Sequence, residues 1–268
     1  MYLILSHALA FASLFVASLF DLDTTDVPDL FSAIGIAGGI LIHGYHSWLI
    51  NSWEPLMWSL GVGAVFSAYG WFAYYQGMWG GADALAIGVL GFAAPYTGNP
   101  SVFDPVNLFV NVMLIGFLHT FAYSVYRSWG SNVLELTRER IGDEKKRMVL
   151  EAGLTTGFIL MLARSGLNWI PYAAIFYSFI VLYRFFKVVQ NDLMYETVPV
   201  EELEGGEVAA PGQGFGDRIV GLEQEDIEEY DGDEIDIRMG VPFMPVFPAA
   251  LLVTDLFGAG MFLIYSLL

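Results

Sequence analysis

Eight stretches of the chain are apolar, and short polar breaks separate them. That pattern predicts helices that cross a bilayer, since each span needs roughly 20 apolar residues. The predicted spans are 2–20, 30–50, 55–76, 83–97, 105–127, 148–164, 169–187 and 243–267. The fourth is short, and the sixth carries Glu151 and Thr155-Thr156. The sixth and seventh form a tight hairpin around Ser165-Gly166 and cross together or not at all. The predicted fold class is an all-α polytopic membrane protein with six to eight transmembrane helices and a small acidic, partly β cytoplasmic segment. Its expected layout is a five-helix membrane core over 1–127, a basic loop over 128–147, a hairpin over 148–187, an acidic module over 188–242 and a final helix over 243–268.

The acidic module has a pattern of its own. Tyr195–Val200 has strand propensity, Gly205-Gly206 reads as a turn, and Glu207-Val208 is placed to pair back. Residues 211–216 read as loop, and Glu234–Arg238 alternates like another short strand. Such a module is too small to build a large core.

Charge sets the orientation. No Lys or Arg precedes Arg127, and residues 188–240 carry 16 acidic and two basic side chains. Basic residues mark the cytoplasmic side. With eight spans, ten of the eleven basic residues share one side, Arg164 being the exception. The N-terminus is then outside, and 21–29, 77–82, 128–147 and 188–242 are cytoplasmic. The first residues lack the basic n-region and cleavage site of a signal peptide, so Met1–Phe20 is expected to be a retained span in the plasma membrane. Trp48, Trp53, Trp79, Trp129 and Trp169 lie near span ends, as an aromatic belt requires.

The composition, 56% hydrophobic and 15% charged, is too apolar for an ordinary soluble domain. A net charge of −18 argues against nucleic acid as a partner. It reads as a solvated acidic face, adaptation to high salt, or long-range steering. The chain has no Cys, which excludes a thiol nucleophile, disulfides and thiolate metal sites. No cofactor or metal is expected.

Two acidic residues stand where a carboxylate is costly to dehydrate. Asp21 follows the first apolar segment and opens the stretch to Asp29; Asp83 closes Gly80-Gly81-Ala82-Asp83 before the fourth. The charge distribution puts both on the same side at the same depth. Alone, Asp21 is a boundary residue and Asp83 a helix cap. Together they suit an aspartyl protease dyad, in which two touching carboxylates share one proton. Gly80 and Gly81 are expected to turn the loop sharply and let backbone approach a ligand.

These two contexts resemble the GxGD aspartyl membrane proteases, most closely the archaeal type IV prepilin and preflagellin (prearchaellin) peptidases. In that family the first Asp is followed by polar residues and an Ile/Val/Leu-Pro pair, here Val27-Pro28. The second closes Gly-x-Gly-Asp, and here Ala82 replaces the third residue. The resemblance covers residues 1 to about 127. It implies an aspartic endopeptidase that cuts class III signal peptides on the cytoplasmic side, with Asp21 and Asp83 catalytic and Gly80, Gly81 and Ala82 in the active-site loop. The implied partners are prepilin-like or prearchaellin-like precursors with a basic leader and an apolar helix. Asp23 and Asp26, with Asp29, are expected to attract that leader. The bacterial relatives methylate the new N-terminus and carry Cys motifs that are absent here, so a peptidase without methyltransferase function is expected. Pro242, Pro245 and Pro248 with Ala249-Ala250-Leu251 loosely resemble the Pro-Ala-Leu element of presenilin-like relatives, though a proline-rich helix entry explains them equally.

Other residues carry plainer expectations. Asp255 reads as a polar clamp between helices, or as a third carboxylate near the dyad. His43 and His46 are spaced for metal binding but read as surface or interfacial, and His7 and His119 read as interhelical hydrogen bonders. The alternative functions are a presenilin-like intramembrane protease and a small ion- or proton-coupled transporter using Asp21, Asp83 and Asp255. A transporter favours carboxylates near the midplane and internal repeats; here Asp21 and Asp83 lie at one edge and no clear repeat is visible.

Overall fold

The computed structural model describes residues 1–24, 26–98, 100–164, 170–203, 205, 208–210, 221–222, 224–228, 230 and 232–258. The expected turn at Ser165-Gly166, Trp169, Glu207, the 211–216 loop, Arg218 and the end of the final helix lie outside these residues. The chain divides into two compact units, Met1–Thr120 with Val241–Leu268, and Phe121–Gly240.

The first unit is built from α1 (Tyr2–Asp23), α2 (Asp29–Leu49), α3 (Glu54–Tyr75), α4 (Gly81–Ala93) and most of α5 (Phe103–Arg127), joined by the final helix of the chain, Val246–Phe257. Prolines mark the starts: Pro28 precedes α2 in an extended conformation, and Pro55 stands in the first turn of α3. Proline fits there because those N–H groups have no intrahelical acceptor. Among the described residues α1, α3 and α5 are long and apolar enough to cross a membrane, and α4 and Val246–Phe257 are shorter apolar helices. The protein is a helical membrane protein.

Helix α4 is the centre of this unit. It touches α1, α2, α3 and the final helix, and Ala84, Ala86, Ile87, Val89, Leu90 and Ala93 are all buried. A helix that is apolar on every side is a buried one. Its C-terminal end is buried among the other helices, so its last carbonyls lack both intrahelical donors and water. The surrounding helices supply the donors. Ser59 of α3 donates to Phe92 O at 2.6 Å. Ser6 of α1 and His43 of α2 converge on Ala93 O. His7 Nε2 donates to Tyr96 O at 3.0 Å, while its Nδ1 bonds Asp255 at 2.8 Å.

This arrangement settles three expectations. His7 is an interhelical hydrogen bonder and Asp255 a clamp between helices. His43 is not a surface residue: it is fully buried, because a carbonyl at the end of α4 needs its N–H. Asp255 is not a third carboxylate near the other two, since it stands about 14 Å along its helix from the end that faces Asp21.

The second unit begins at the end of α5. It contains α6 (Val133–Asp143), α7 (Lys145–Arg164), α8 (Ile170–Val188) and a small sheet of β1 (Tyr195–Pro199), β2 (Val208–Ala209) and β3 (Glu234–Arg238), with the short α9 (Gln224–Glu228). The expected basic loop 128–147 thus holds a helix. The polar residues that weaken α7 as a span are answered within the unit. Glu151 binds Arg184 at 2.6 Å and Arg147 at 3.0 Å, and Thr156 bonds the Tyr177 hydroxyl at 2.6 Å. The sheet order β1-β3-β2 corrects the expected pairing: Val208 lies opposite Arg238 of β3, not against β1. The reason is burial. Ile235 of the central strand anchors a small core with Leu203, Leu222 and Ile227, and only a middle β3 is covered from both edges. The helix Val246–Phe257 is α10.

At its closest approach to α3, α4 leaves no room for a methyl group. A Cβ added at Gly91 meets Gly63 Cα at 2.8 Å and Val62 O at 2.9 Å, whereas one at Gly61 meets nothing within 4 Å. Gly91→Ala is expected to destabilise the protein by about 1–3 kcal/mol, while Gly61→Ala leaves it unchanged. Thermal denaturation of the purified protein in detergent checks both, and an unshifted Gly91→Ala midpoint refutes the tight packing.

Candidate active site

Asp21 lies in the last turn of α1 and is buried, one turn further into the helix than the end of the apolar run suggests. Its carboxylate is not left bare. Oδ2 accepts the backbone N–H of Met244 at 2.9 Å. That donor comes from the Pro242–Pro245 segment that enters α10, where prolines keep the chain out of helix and leave the amide free to point at α1. The segment is held from its other side by His119 of α5, whose Nε2 donates to Pro242 O at 2.7 Å.

Asp83 occupies the third position of α4 and is half-buried. Its Oδ2 accepts the Gly80 N–H at 3.0 Å, closing the helix N-terminus from its own first turn. The cap expected of Asp83 is therefore real. It does not exclude a second task, because the other oxygen is uncommitted to that bond and the helix dipole favours a negative charge there. Helices α1 and α4 are in contact, and Ser6 and His7 of α1 lie beside the far end of α4, so Asp21 and Asp83 stand at the same end of the packed pair. Each uses one oxygen on a backbone amide rather than on its neighbour.

The loop before Asp83 differs from the expected one. Gly80 is extended at φ −75°, and Gly81 already belongs to α4. Neither uses a positive φ; Gly77 does, at φ 65°. The sharp turn thus sits three residues earlier than expected. A Cβ at Gly80 meets only the Asp83 carboxylate at 3.5 Å, an ordinary contact. Ala82 stands in the first turn of the helix, so alanine at that place carries no conformational penalty. Asp23 and Asp26 are exposed near the end of α1, and Thr24 Oγ1 accepts the Asp26 N–H.

Several neighbours of the aspartates are not evident from motifs. Trp79, expected in an aromatic belt, instead packs between Tyr69 at 5.3 Å, Phe243 at 6.0 Å and Phe247 at 5.8 Å between ring centroids. The Met244 amide and the His119 imidazole are likewise parts of the site. The proline cluster at 242–248 is the one sequence signal that pointed to this segment.

Two carboxylates thus stand at one end of the packed helices of a helical membrane protein. The family part of the resemblance is borne out: residues 8–126 match the Type IV leader peptidase family, a stretch that contains both aspartates. That family indicates a protease. No curated protein matches the chain.

The Asp21–Met244 bond fixes the entry to α10. Asp21→Leu removes the acceptor, and the segment is expected to loosen. Because the chain has no cysteine, a single Met244→Cys, buried in the intact protein, reports this through its maleimide labelling rate. The rate rises at least roughly tenfold on adding Asp21→Leu if the bond holds the segment; an unchanged rate shows that packing alone holds it.

Proposed function

We propose that the protein is a membrane aspartic endopeptidase that removes class III signal peptides from prepilin-like or prearchaellin-like precursors. What supports this reading is that Asp21 and Asp83 stand at the same end of the touching helices α1 and α4, within the stretch that matches the type IV leader peptidases. One carboxylate is ionised and takes a proton from water while the protonated partner hydrogen-bonds the scissile carbonyl. Water oxygen adds to the carbonyl carbon, giving a tetrahedral diol. The roles then reverse: the C–N bond breaks, the amine leaves with a proton from the dyad, and the carbonyl re-forms. The titration belongs to the pair, so neither residue is the permanent base.

In this reading residues 1–127 and the final helix form the catalytic membrane core, with Gly80, Gly81 and Ala82 carrying Asp83 into place. Six to eight spans cross the plasma membrane, the N-terminus is outside, and the dyad faces the cytoplasm. The distribution of ten of eleven basic residues supports that orientation. Asp23 and Asp26, exposed beside α1, are placed to attract a basic leader. Salt screens the field of these carboxylates over about 8–10 Å.

Co-expression with a precursor bearing Lys-Gly before an apolar helix tests the proposal. The intact chain produces a shorter product. Asp21→Asn and Asp83→Asn each reduce cleavage at least about a hundredfold. Normal cleavage by either variant removes that residue from the dyad. The product mass locates the cut: at the polar boundary for a leader peptidase, inside the apolar helix for a presenilin-like enzyme.

A further inference from the structure

Among the described residues, helix α3 packs on α4 and α2 and leaves another face uncovered. Toward α4, a Cβ at Gly63 strikes the Phe92 ring and one at Gly70 strikes Ala84 O at 2.6 Å. Those glycines are accounted for by close helix packing. Gly61 points the other way, and among the described residues a Cβ there meets nothing within 4 Å. It forms the floor of an apolar groove of about 640 Å³ between α3 and α5. Met57, Gly61, Val65 and Tyr69 follow one another at four-residue spacing along it, with Val106 and Phe109 of α5 on the opposite wall. Such a row is a ridge of the kind against which another helix docks. From Glu54 to Tyr69 the groove runs about 22 Å along α3. Met57, Val65 and Val106 are more than half exposed.

The groove does not end at random. Tyr69 closes it, and the Tyr69 ring meets Trp79 edge-on at 5.3 Å. Trp79 directly precedes Gly80, whose N–H binds Asp83, and packs on Phe243, which directly precedes Met244, whose N–H binds Asp21. The closed end is therefore one aromatic layer from both carboxylate anchors.

We propose that this groove is the docking site for the apolar helix of the precursor, with the leader end of that helix at Tyr69. The inference rests on the peptidase reading above, which supplies an occupant that is both helical and apolar. A helix suits the site better than a single acyl chain because the wall is a four-residue ridge along four turns, with its smallest residue at the centre. In lipid, helices associate through close packing and not through the hydrophobic effect, so a floor glycine is what such a contact requires.

Gly61→Leu fills the floor without touching the protein's own packing. For the membrane-embedded precursor, KM is expected to rise roughly tenfold with kcat unchanged, as for lost uniform binding. For a leader peptide that lacks the apolar helix, nothing changes. A KM within twofold of the native value overturns the proposal, and so do equal losses on both substrates, which mean damage to the site itself. A benzophenone amino acid at Val65, in the Asp83→Asn chain, is expected to crosslink the precursor, while the same probe at the exposed Leu41 of α2 does not. Lipid adducts at Val65 without precursor adducts overturn the proposal and give the groove to an acyl chain. Cleavage by the native chain without the Val65 adduct rejects the groove and keeps the protease. The adduct without any cleavage rejects the protease and keeps the groove.

Discussion

A carbonyl group that ends a helix inside a packed apolar core must find a donor, because no water reaches it. Helix α4 is short and central, and its end at Ala93 creates that demand in the middle of the first unit. Ser59, Ser6, His43 and His7 meet it, drawn from three different helices, and Asp255 of α10 ties down His7. Each bond fixes the depth and rotation of one neighbour relative to α4. Leaving such an acceptor unpaired costs about 1–3 kcal/mol even in ordinary protein interiors. The helix arrangement follows from this capping at least as much as from apolar contact, which lipid supplies equally well.

The same helix carries Asp83 at its opposite end. Fixing the C-terminal end of α4 therefore fixes where its first turn stands. Helix α10 is held in a comparable way at both ends: Asp255 binds His7, and Met244 at the entry binds Asp21. The two aspartates are thus positioned by rigid elements rather than by loops. Their mutual approach is set by packing tens of residues away in sequence, as expected of a preorganised site.

Much of the site was legible. Asp21 with Val27-Pro28, and the glycines before Asp83, were visible as motifs because each is local. The spans were visible because apolar length is local too: the helices begin and end within a few residues of the predicted limits from α1 to α3. What was misread needed neighbours. The role given to Gly80 and Gly81 belongs to Gly77, since a motif does not say which residue takes the positive φ. His43 looked superficial until α4 stopped beside it. Val208 was expected to pair back onto β1, but β3, 26 residues further along, intervenes between them.

The sequence by itself determined that this is a membrane protein, which stretches are apolar helices, how charge divides along it, and which two carboxylates merit attention. Those properties are carried by runs of neighbouring residues and their transfer energies. Tertiary structure alone decided that α4 is the buried centre, that the Met244 amide binds Asp21, and that, among the described residues, one face of α3 is left uncovered. Each of these depends on which faces of distant helices meet. That is a matter of shape and hydrogen-bond satisfaction across the fold, and no local pattern encodes it.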